Sequence, residues 1–89
     1  MGSIADQLIA SGWCQGHYVD DDGSVCIRTA VARSGLDLYS DRVHAALVVA
    51  CGEDPNNILP GLAFNDAPER TYDEVLRAAK TADEILDAQ

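Results

Sequence analysis

The chain has 89 residues, and 47% of them are hydrophobic, which suits a single globular domain and is too high for a disordered chain. Fifteen acidic residues against six basic ones give a formal net charge of −9. This charge argues against binding nucleic acid or an anionic membrane, because both need clustered Lys and Arg. The longest apolar run, residues 45–51, falls far short of the ~20 residues that span a bilayer.

The N-terminal part is predicted to form one helix and a loop. Ser3 can cap a helix over residues 3–11, and Gly12 can end it. Residues 13–23 contain two glycines and three consecutive aspartates, which is typical of a loop or a short hairpin. An EF-hand loop with Gly23 in sixth place would lack a carboxylate at both ends, so the aspartates indicate a solvated turn rather than a calcium site.

Two further helices are predicted in the middle of the chain. Ser24 can cap one that runs to about Arg33. Ser40 can cap the next, Gly52 can end it, and its apolar side chains repeat at i, i+3, i+4 and i+7. The width of this apolar stripe suggests that the third helix is central. The stripe consists of Val43, Ala46, Leu47 and Ala50, widened by Val48 and Cys51.

The C-terminal part is predicted to hold a helical turn and a long helix. Residues 56–64 are apolar but interrupted by Pro60 and Gly61. A helical turn there is expected to dock four side chains on the core: Ile58, Leu59, Leu62 and Phe64. Thr71 and Glu74 have the spacing of a capping box for the last helix. The apolar stripe of that helix consists of Val75, Leu76, Ala79, Ala82 and Leu86.

Four helices and an irregular N-terminal loop predict an all-α fold, a small bundle that forms one helical domain over residues 1–89. No repeat or low-complexity segment indicates a second domain. The alternative fold class is α+β, with a short hairpin between Tyr18 and Cys26 that pairs residues 18–19 with residues 25–26.

A series of short motifs also runs through the chain. They are Gly12-Trp13-Cys14-Gln15-Gly16, Asp22-Gly23 followed by Cys26 and Ala30, Phe64-Asn65-Asp66-Ala67-Pro68, Arg70-Thr71 and Glu74-Val75-Leu76. This pattern resembles a family of small proteins of unknown function from actinobacteria and their bacteriophages, over about residues 8–79. Two positions depart from it: Phe64 stands where members usually carry Trp, and Thr29 where they usually carry Gly. The resemblance implies an actinobacterial or actinophage source and supplies no activity.

The candidate partner-binding residues come from these motifs and are Trp13, Phe64, Asn65, Asp66 and Arg70. Asn65 and Asp66 could bind a ligand or a partner. They could also bond neighbouring backbone groups and shape a turn, which is the role we favour. Trp13 and Phe64 are expected to be large anchors of the core, and exposure of either one would indicate a binding surface.

The cysteines and histidines offer a second kind of site. Cys14, His17 and Cys26 could supply three zinc ligands, with His44 or Cys51 as a fourth. Strong zinc signals pair two close dyads, whereas this chain has one, so we predict no metal and no other cofactor. A Cys–His nucleophile pair could be drawn from the same residues. A chain this short leaves little room for a substrate pocket, so we predict no enzymatic activity.

The leading functional prediction is a protein-interaction module that binds and modulates a host protein, without direct contact to nucleic acid or membrane. The alternatives are an acidic DNA mimic that inhibits a DNA-binding enzyme and a small zinc-binding domain. DNA mimicry would need the 20–22 turn and the exposed sides of the last helix to present carboxylates on one face. The acidic residues expected on those sides of the helix are Asp73, Glu74, Asp83, Glu84 and Asp87.

Two expectations concern the state of the protein in the cell. Three cysteines are an odd number, and Asp6 interrupts the N-terminus before an apolar signal segment develops. We therefore expect reduced thiols in the cytoplasm, or in the host cytoplasm if the chain is phage-encoded. The sequence also allows a homodimer that forms through an exposed face of the third or last helix.

Overall fold

The computed structural model describes residues 3–88. Within them no β-sheet forms, although Val25 makes isolated β-bridges to Trp13 and Val19. The all-α prediction is therefore confirmed, and the alternative hairpin is reduced to one of these bridges. Residues 1, 2 and 89 of the predicted domain lie outside the described part. The helices are α1 (Ile4–Ser11), α2 (Ile27–Arg33), α3 (Asp41–Cys51), α4 (Leu62–Asp66) and α5 (Tyr72–Asp87).

Helix α1 begins at the predicted serine cap and has a second cap from the far end of the chain. The Ser3 hydroxyl accepts a hydrogen bond from the Asp6 amide at 3.0 Å. The Asp83 carboxylate on α5 accepts from the amides of Ile4 at 2.8 Å and Ala5 at 3.1 Å. A helix N-terminus leaves four amides without intrahelical partners. The first three of α1 are bonded in this way, and Asp83 fixes α1 against α5.

Helix α2 is capped by Cys26, not by Ser24 as predicted. The reason lies in the preceding loop, where backbone groups of residues 24 and 25 are already paired. The Val25 amide donates to the Gly12 carbonyl at 2.9 Å, and the Asp20 amide donates to the Ser24 carbonyl at 2.8 Å. These bonds keep the two residues extended, so the helix starts only after Cys26.

Helix α5 is more central than the predicted α3, and it shares the middle of the fold with α1, which packs against α2 and α5. Helix α5 packs against both α1 and α3, whereas α3 packs mainly against α5 and turns Val49 to solvent. The predicted helix boundaries are nevertheless confirmed: Ser40 caps α3, Gly52 ends it in a left-handed conformation, and Thr71 and Glu74 form the capping box of α5. Four residues of the predicted α3 stripe are buried, namely Val43, Ala46, Leu47 and Cys51.

The segment before α4 differs from its prediction, because Ile58 is 83% exposed instead of docked on the core. The Glu53 carboxylate accepts hydrogen bonds from the amide of Gly61 and from Nδ2 of Asn57. Oδ1 of Asn57 accepts from the Leu59 amide at 3.0 Å. These polar bonds hold residues 53–61 in turns that leave Ile58 in solvent. The other residues predicted to dock are partly buried: Leu59, Leu62 and Phe64.

The core between the helices is aliphatic, and its larger aromatic residues pack at its edge. Trp13, Phe64 and Tyr72 are partly buried against it. No helix within residues 3–88 is long and apolar enough to cross a lipid bilayer. The largest completely buried apolar side chains are Ile4, Leu8, Val25, Ile27, Val31, Val43, Leu47 and Val75.

Candidate functional site

Asn65, singled out by the aromatic-Asn-Asp motif, is completely buried and uses its whole side-chain amide. Its Oδ1 accepts from the indole N–H of Trp13 at 2.8 Å and from the amide of Ile27 at 3.0 Å. Its Nδ2 donates to the carbonyl of Cys14 at 3.0 Å and to the carboxylate of Asp66 at 2.9 Å. We call these five residues the Asn65 junction. Because both acceptor and both donor positions are filled, the geometry supports a structural role for Asn65.

The Gly-Trp loop and the aromatic-Asn-Asp segment meet at this junction. Nε2 of Gln15 donates to the carbonyls of Asn65 at 3.0 Å and Ala67 at 2.8 Å. The Gly16 amide donates to the Asp66 carboxylate at 3.0 Å. Two motifs about 50 residues apart in sequence thus form one hydrogen-bonded unit. Burial of its central bonds makes this unit a strong constraint on the fold.

Arg70 and the aromatic residues complete the region that the motifs predicted. The Arg70 guanidinium lies 3.8 Å from the centroid of the Phe64 ring, and its Nε donates to the Phe64 carbonyl at 2.8 Å. Nη1 pairs with Glu74 at 3.3 Å. Trp13 stacks on Tyr72 with a centroid distance of 6.3 Å. All five predicted binding residues therefore lie close together, but contacts among themselves and their neighbours occupy much of their polar and aromatic surface.

An open depression of about 480 Å³ borders this region. Its cation, Arg70, is already paired with Glu74, and Glu69 adds a second carboxylate to the lining. A ligand there would meet mixed charges that are already partly neutralised. The lining residues are Ala67, Pro68, Glu69, Arg70 and Glu74.

Two of the candidate zinc ligands, Cys14 and Cys26, have other partners. The backbone carbonyls of His17 and Ser24 both lie 3.3 Å from Sγ of Cys14 and share its single S–H donor, and Sγ of Cys26 caps α2. Within residues 3–88, no group of three or more His, Cys, Asp or Glu side chains is arranged to hold a metal ion. Burial raises the pKa of the Cys14 thiol, and the negative charge of Asp20 adds to the effect. Both causes favour the protonated thiol, which is the form that can donate to these carbonyls.

Cys51 is expected to be unreactive in the folded protein. Burial raises the pKa of its thiol from an ordinary 9.0 to about 12; the charge of Glu53 adds to this rise and that of Arg70 opposes it. Because the thiolate is the reactive species, iodoacetamide at mildly alkaline pH should alkylate Cys51 at least about 100-fold more slowly than in the unfolded chain. Mass spectrometry of quenched peptides, with and without guanidinium chloride, measures the two rates. Equal rates would contradict a buried, protonated thiol.

A second cavity has a different chemical character, and the sequence did not reveal it. Its volume is about 320 Å³, and two exposed aromatic residues line it: Tyr39, which is 84% exposed, and Tyr18, which is 56% exposed. Arg28 also lines it and is only 4% exposed. We call this feature the tyrosine cavity. Its remaining lining residues are Thr29, Ala32, Leu38 and Leu59.

The sequence carries one weak signal for the buried arginine. No acidic residue lies three or four positions from Arg28, so Arg28 lacks the helix-surface ion pair that supports many exposed arginines. The residues at those positions are Ser24, Val25, Val31 and Ala32. The two tyrosines come from separate loops, and local periodicity cannot show that such loops meet.

Several carboxylates of the two acidic clusters considered for DNA mimicry have roles in the fold. Asp83 was placed on an exposed side of the last helix, but it is partly buried and caps α1. Glu74 accepts a hydrogen bond from the Thr71 amide at 2.9 Å, and hydrogen bonds from Thr71 lower the pKa of Glu74. Asp22 likewise accepts from the Ser24 amide at 3.0 Å, which lowers the pKa of Asp22. The acidic residues of α5 that remain exposed outside these bonds are Asp73, Glu84 and Asp87.

Comparison with known protein families gives a match over most of the chain. Residues 2–85 match the model of a family of unknown function, DUF6197. No curated protein and no solved structure matches this chain. The matched region contains both the Asn65 junction and all residues that line the tyrosine cavity. It confirms the resemblance to a family of unknown function, and the chain therefore belongs to the family DUF6197.

Proposed function

We propose that this chain is a non-catalytic protein-interaction module that docks a partner protein over the tyrosine cavity. The observation that carries the proposal is the pair of exposed tyrosines, Tyr18 and Tyr39, on one cavity. A soluble domain gains no core stability from aromatic rings held in water. Exposed aromatic surface that is grouped around a concave feature is typical of interaction sites.

The residue types of the cavity support this assignment. Tyrosine offers a large contact area at a small entropic cost, and Tyr and Arg are enriched among the residues that dominate binding energies at interfaces. Both types lie here beside the apolar side chains of Leu38 and Leu59. Ile58, the chain neighbour of Leu59, adds further exposed apolar surface. A partner that covers this surface would remove all of it from water.

The net charge of −9 favours a partner whose surrounding surface is basic, because complementary potentials speed encounter. The resemblance to actinobacterial and actinophage proteins supports a finer proposal, namely that the partner is a host protein which this chain modulates in the host cytoplasm. DNA mimicry is supported less well, because hydrogen bonds within the fold already engage Asp22, Glu74 and Asp83. No contact among the described residues favours zinc binding.

Capture from an actinobacterial lysate on the immobilised protein tests the proposal. The test variant carries Tyr18→Ala and Tyr39→Ala together. The matched control carries Ile9→Ala and Val49→Ala, which remove exposed apolar side chains that do not line the cavity. We expect wild type and control to retain the same protein, and the tyrosine variant to bind it about tenfold more weakly, a modest loss for two interface tyrosines.

Circular dichroism spectra and unfolding midpoints of the three proteins show whether each variant is folded. Binding of the retained protein is then measured by titration against each of them. Equal affinity for all three proteins would place the interface elsewhere. Failure to retain any reproducible partner on the folded wild-type protein would count against an interaction module.

A further inference from the structure

Two polar or charged side chains are buried within residues 3–88, and they differ in the number of hydrogen bonds that they make. Asn65 makes four hydrogen bonds. Arg28 makes one, from Nη1 to the Pro60 carbonyl at 3.0 Å. A guanidinium has five N–H donors, and no described carboxylate lies within ion-pair distance of Arg28. A buried cation is costly to a protein unless an anion accompanies it.

Arg28 lines the tyrosine cavity, and one hydrogen bond, to the Pro60 carbonyl, leaves most of its donors unpaired within the protein. No fully buried side-chain nitrogen or oxygen of the described residues lacks a hydrogen-bond partner, so the unbonded Nε and Nη2 of Arg28 keep a small contact with solvent. We infer that they make this contact in the tyrosine cavity, because Arg28 is one of its lining residues. Two adjacent guanidinium nitrogens form the fork that matches the two oxygens of a carboxylate. The bond to Pro60 helps to fix the orientation of this fork.

We propose that Arg28 is a carboxylate-binding site. Resting on the function proposed above, we further propose that the docking protein inserts an acidic side chain between Tyr18 and Tyr39 to reach it. A volume of about 320 Å³ is at the lower limit for ligand pockets, so it suits one side chain better than a whole metabolite. A single arginine balances a monoanion, whereas the net charge of −9 repels a phosphate dianion more strongly.

Titration with benzoate, followed by NMR of the full chain labelled with ¹⁵N, tests the site directly. We expect a saturable shift of the Arg28 Nε–H resonance, with a dissociation constant on the order of 1–10 mM, the range of a small fragment. Benzamide has the same shape without the charge and should leave this resonance unmoved. Phenyl phosphate should bind no more tightly than benzoate. Equal shifts from benzamide, or about tenfold tighter binding of phenyl phosphate, would overturn the carboxylate assignment.

Two variants separate the guanidinium fork from the rest of the cavity. Arg28→Met removes the charge and should abolish benzoate shifts at the amides of Thr29 and Tyr39. Arg28→Lys keeps the charge but loses the fork, and should weaken binding at least about threefold. If Arg28→Met fails to fold, Arg28→Lys and the wild-type resonance still decide the question. Unchanged benzoate affinity in a folded Arg28→Met protein would overturn the site.

The protein captured from lysate provides the second arm. We expect Arg28→Met to weaken its binding at least about tenfold, because the partner's carboxylate would be left buried without a cation. If tyrosine-dependent capture persists at full affinity in Arg28→Met, the proposed function stands and the Arg28 inference fails. If benzoate binds at Arg28 but no partner is captured, the carboxylate site stands while the partner's acidic side chain and the proposed function both fail.

Discussion

Replacing Asn65 with leucine is expected to lower the free energy of unfolding by about 3–5 kcal/mol, because several groups lose their partners inside the protein. The Ile27 amide and the Cys14 carbonyl each have a buried bond to this side chain. The indole N–H of Trp13 and the Asp66 carboxylate lose theirs as well. Small domains have total stabilities of about 5–15 kcal/mol. Urea denaturation followed by far-UV circular dichroism measures the loss.

Two comparisons make the result specific to the amide of Asn65. Asn65→Asp keeps the acceptor for Trp13 and Ile27 but removes the donor to Cys14 and places a second carboxylate beside Asp66, so it should also cost several kcal/mol. Asn56→Leu changes an exposed asparagine and should stay within about 0.5 kcal/mol of wild type. A loss below about 1 kcal/mol for Asn65→Leu would show that the junction does not hold the fold together.

The second large effect is expected at Asp83. Asp83→Ala removes the acceptor for the first two amides of α1, those of Ile4 and Ala5. It also removes a negative charge from the positive end of that helix dipole. We expect the free energy of unfolding to fall by about 2 kcal/mol. Urea denaturation measures this loss, and hydrogen exchange at the amides of Ile4 and Ala5 should accelerate at the same time.

Neighbouring substitutions separate capping from general charge. Asp83→Asn keeps one acceptor oxygen and should lose about half as much stability as Asp83→Ala. Glu84→Gln removes a charge from the next residue, which is exposed, and should change stability by less than about 0.5 kcal/mol. If Glu84→Gln destabilises the protein as much as Asp83→Ala, bulk charge rather than the cap explains the effect.

Features that depend on neighbouring residues could be predicted from the sequence. Ser3, Ser40 and Thr71 cap helices as expected, because a cap needs only a side-chain oxygen and the amide three residues later. Gly52 ends α3 in the left-handed conformation that glycine adopts easily. The all-α fold follows from such signals together with the apolar stripes. The predicted start of α2 was wrong because backbone groups of residues 24 and 25 are hydrogen-bonded to residues outside the helix.

Features that join distant parts of the chain could not be read in this way. The motifs pointed to Asn65 and Trp13, and the two do meet, but their spacing gave no reason to expect a bond across 52 positions. Asp83 was indistinguishable from its exposed acidic neighbours, because its partners lie in α1. Arg28 was missed because its environment is made by Tyr18 and Tyr39 from two separate loops. Helix periodicity reports which face is apolar, and it does not report what covers that face.

The cap that α5 provides for α1 has a consequence for synthesis on the ribosome. Ile4 and its acceptor Asp83 are 79 positions apart. At about 5–20 residues per second, the ribosome adds Asp83 on the order of 4–16 s after Ile4. During that interval the amides of Ile4 and Ala5 lack their acceptor and stay exposed to water, although Ser3 can already cap the helix. The nascent domain can therefore close only after residue 83 has been added, and a premature stop codon before that position would also deprive the N-terminal helix of its anchor.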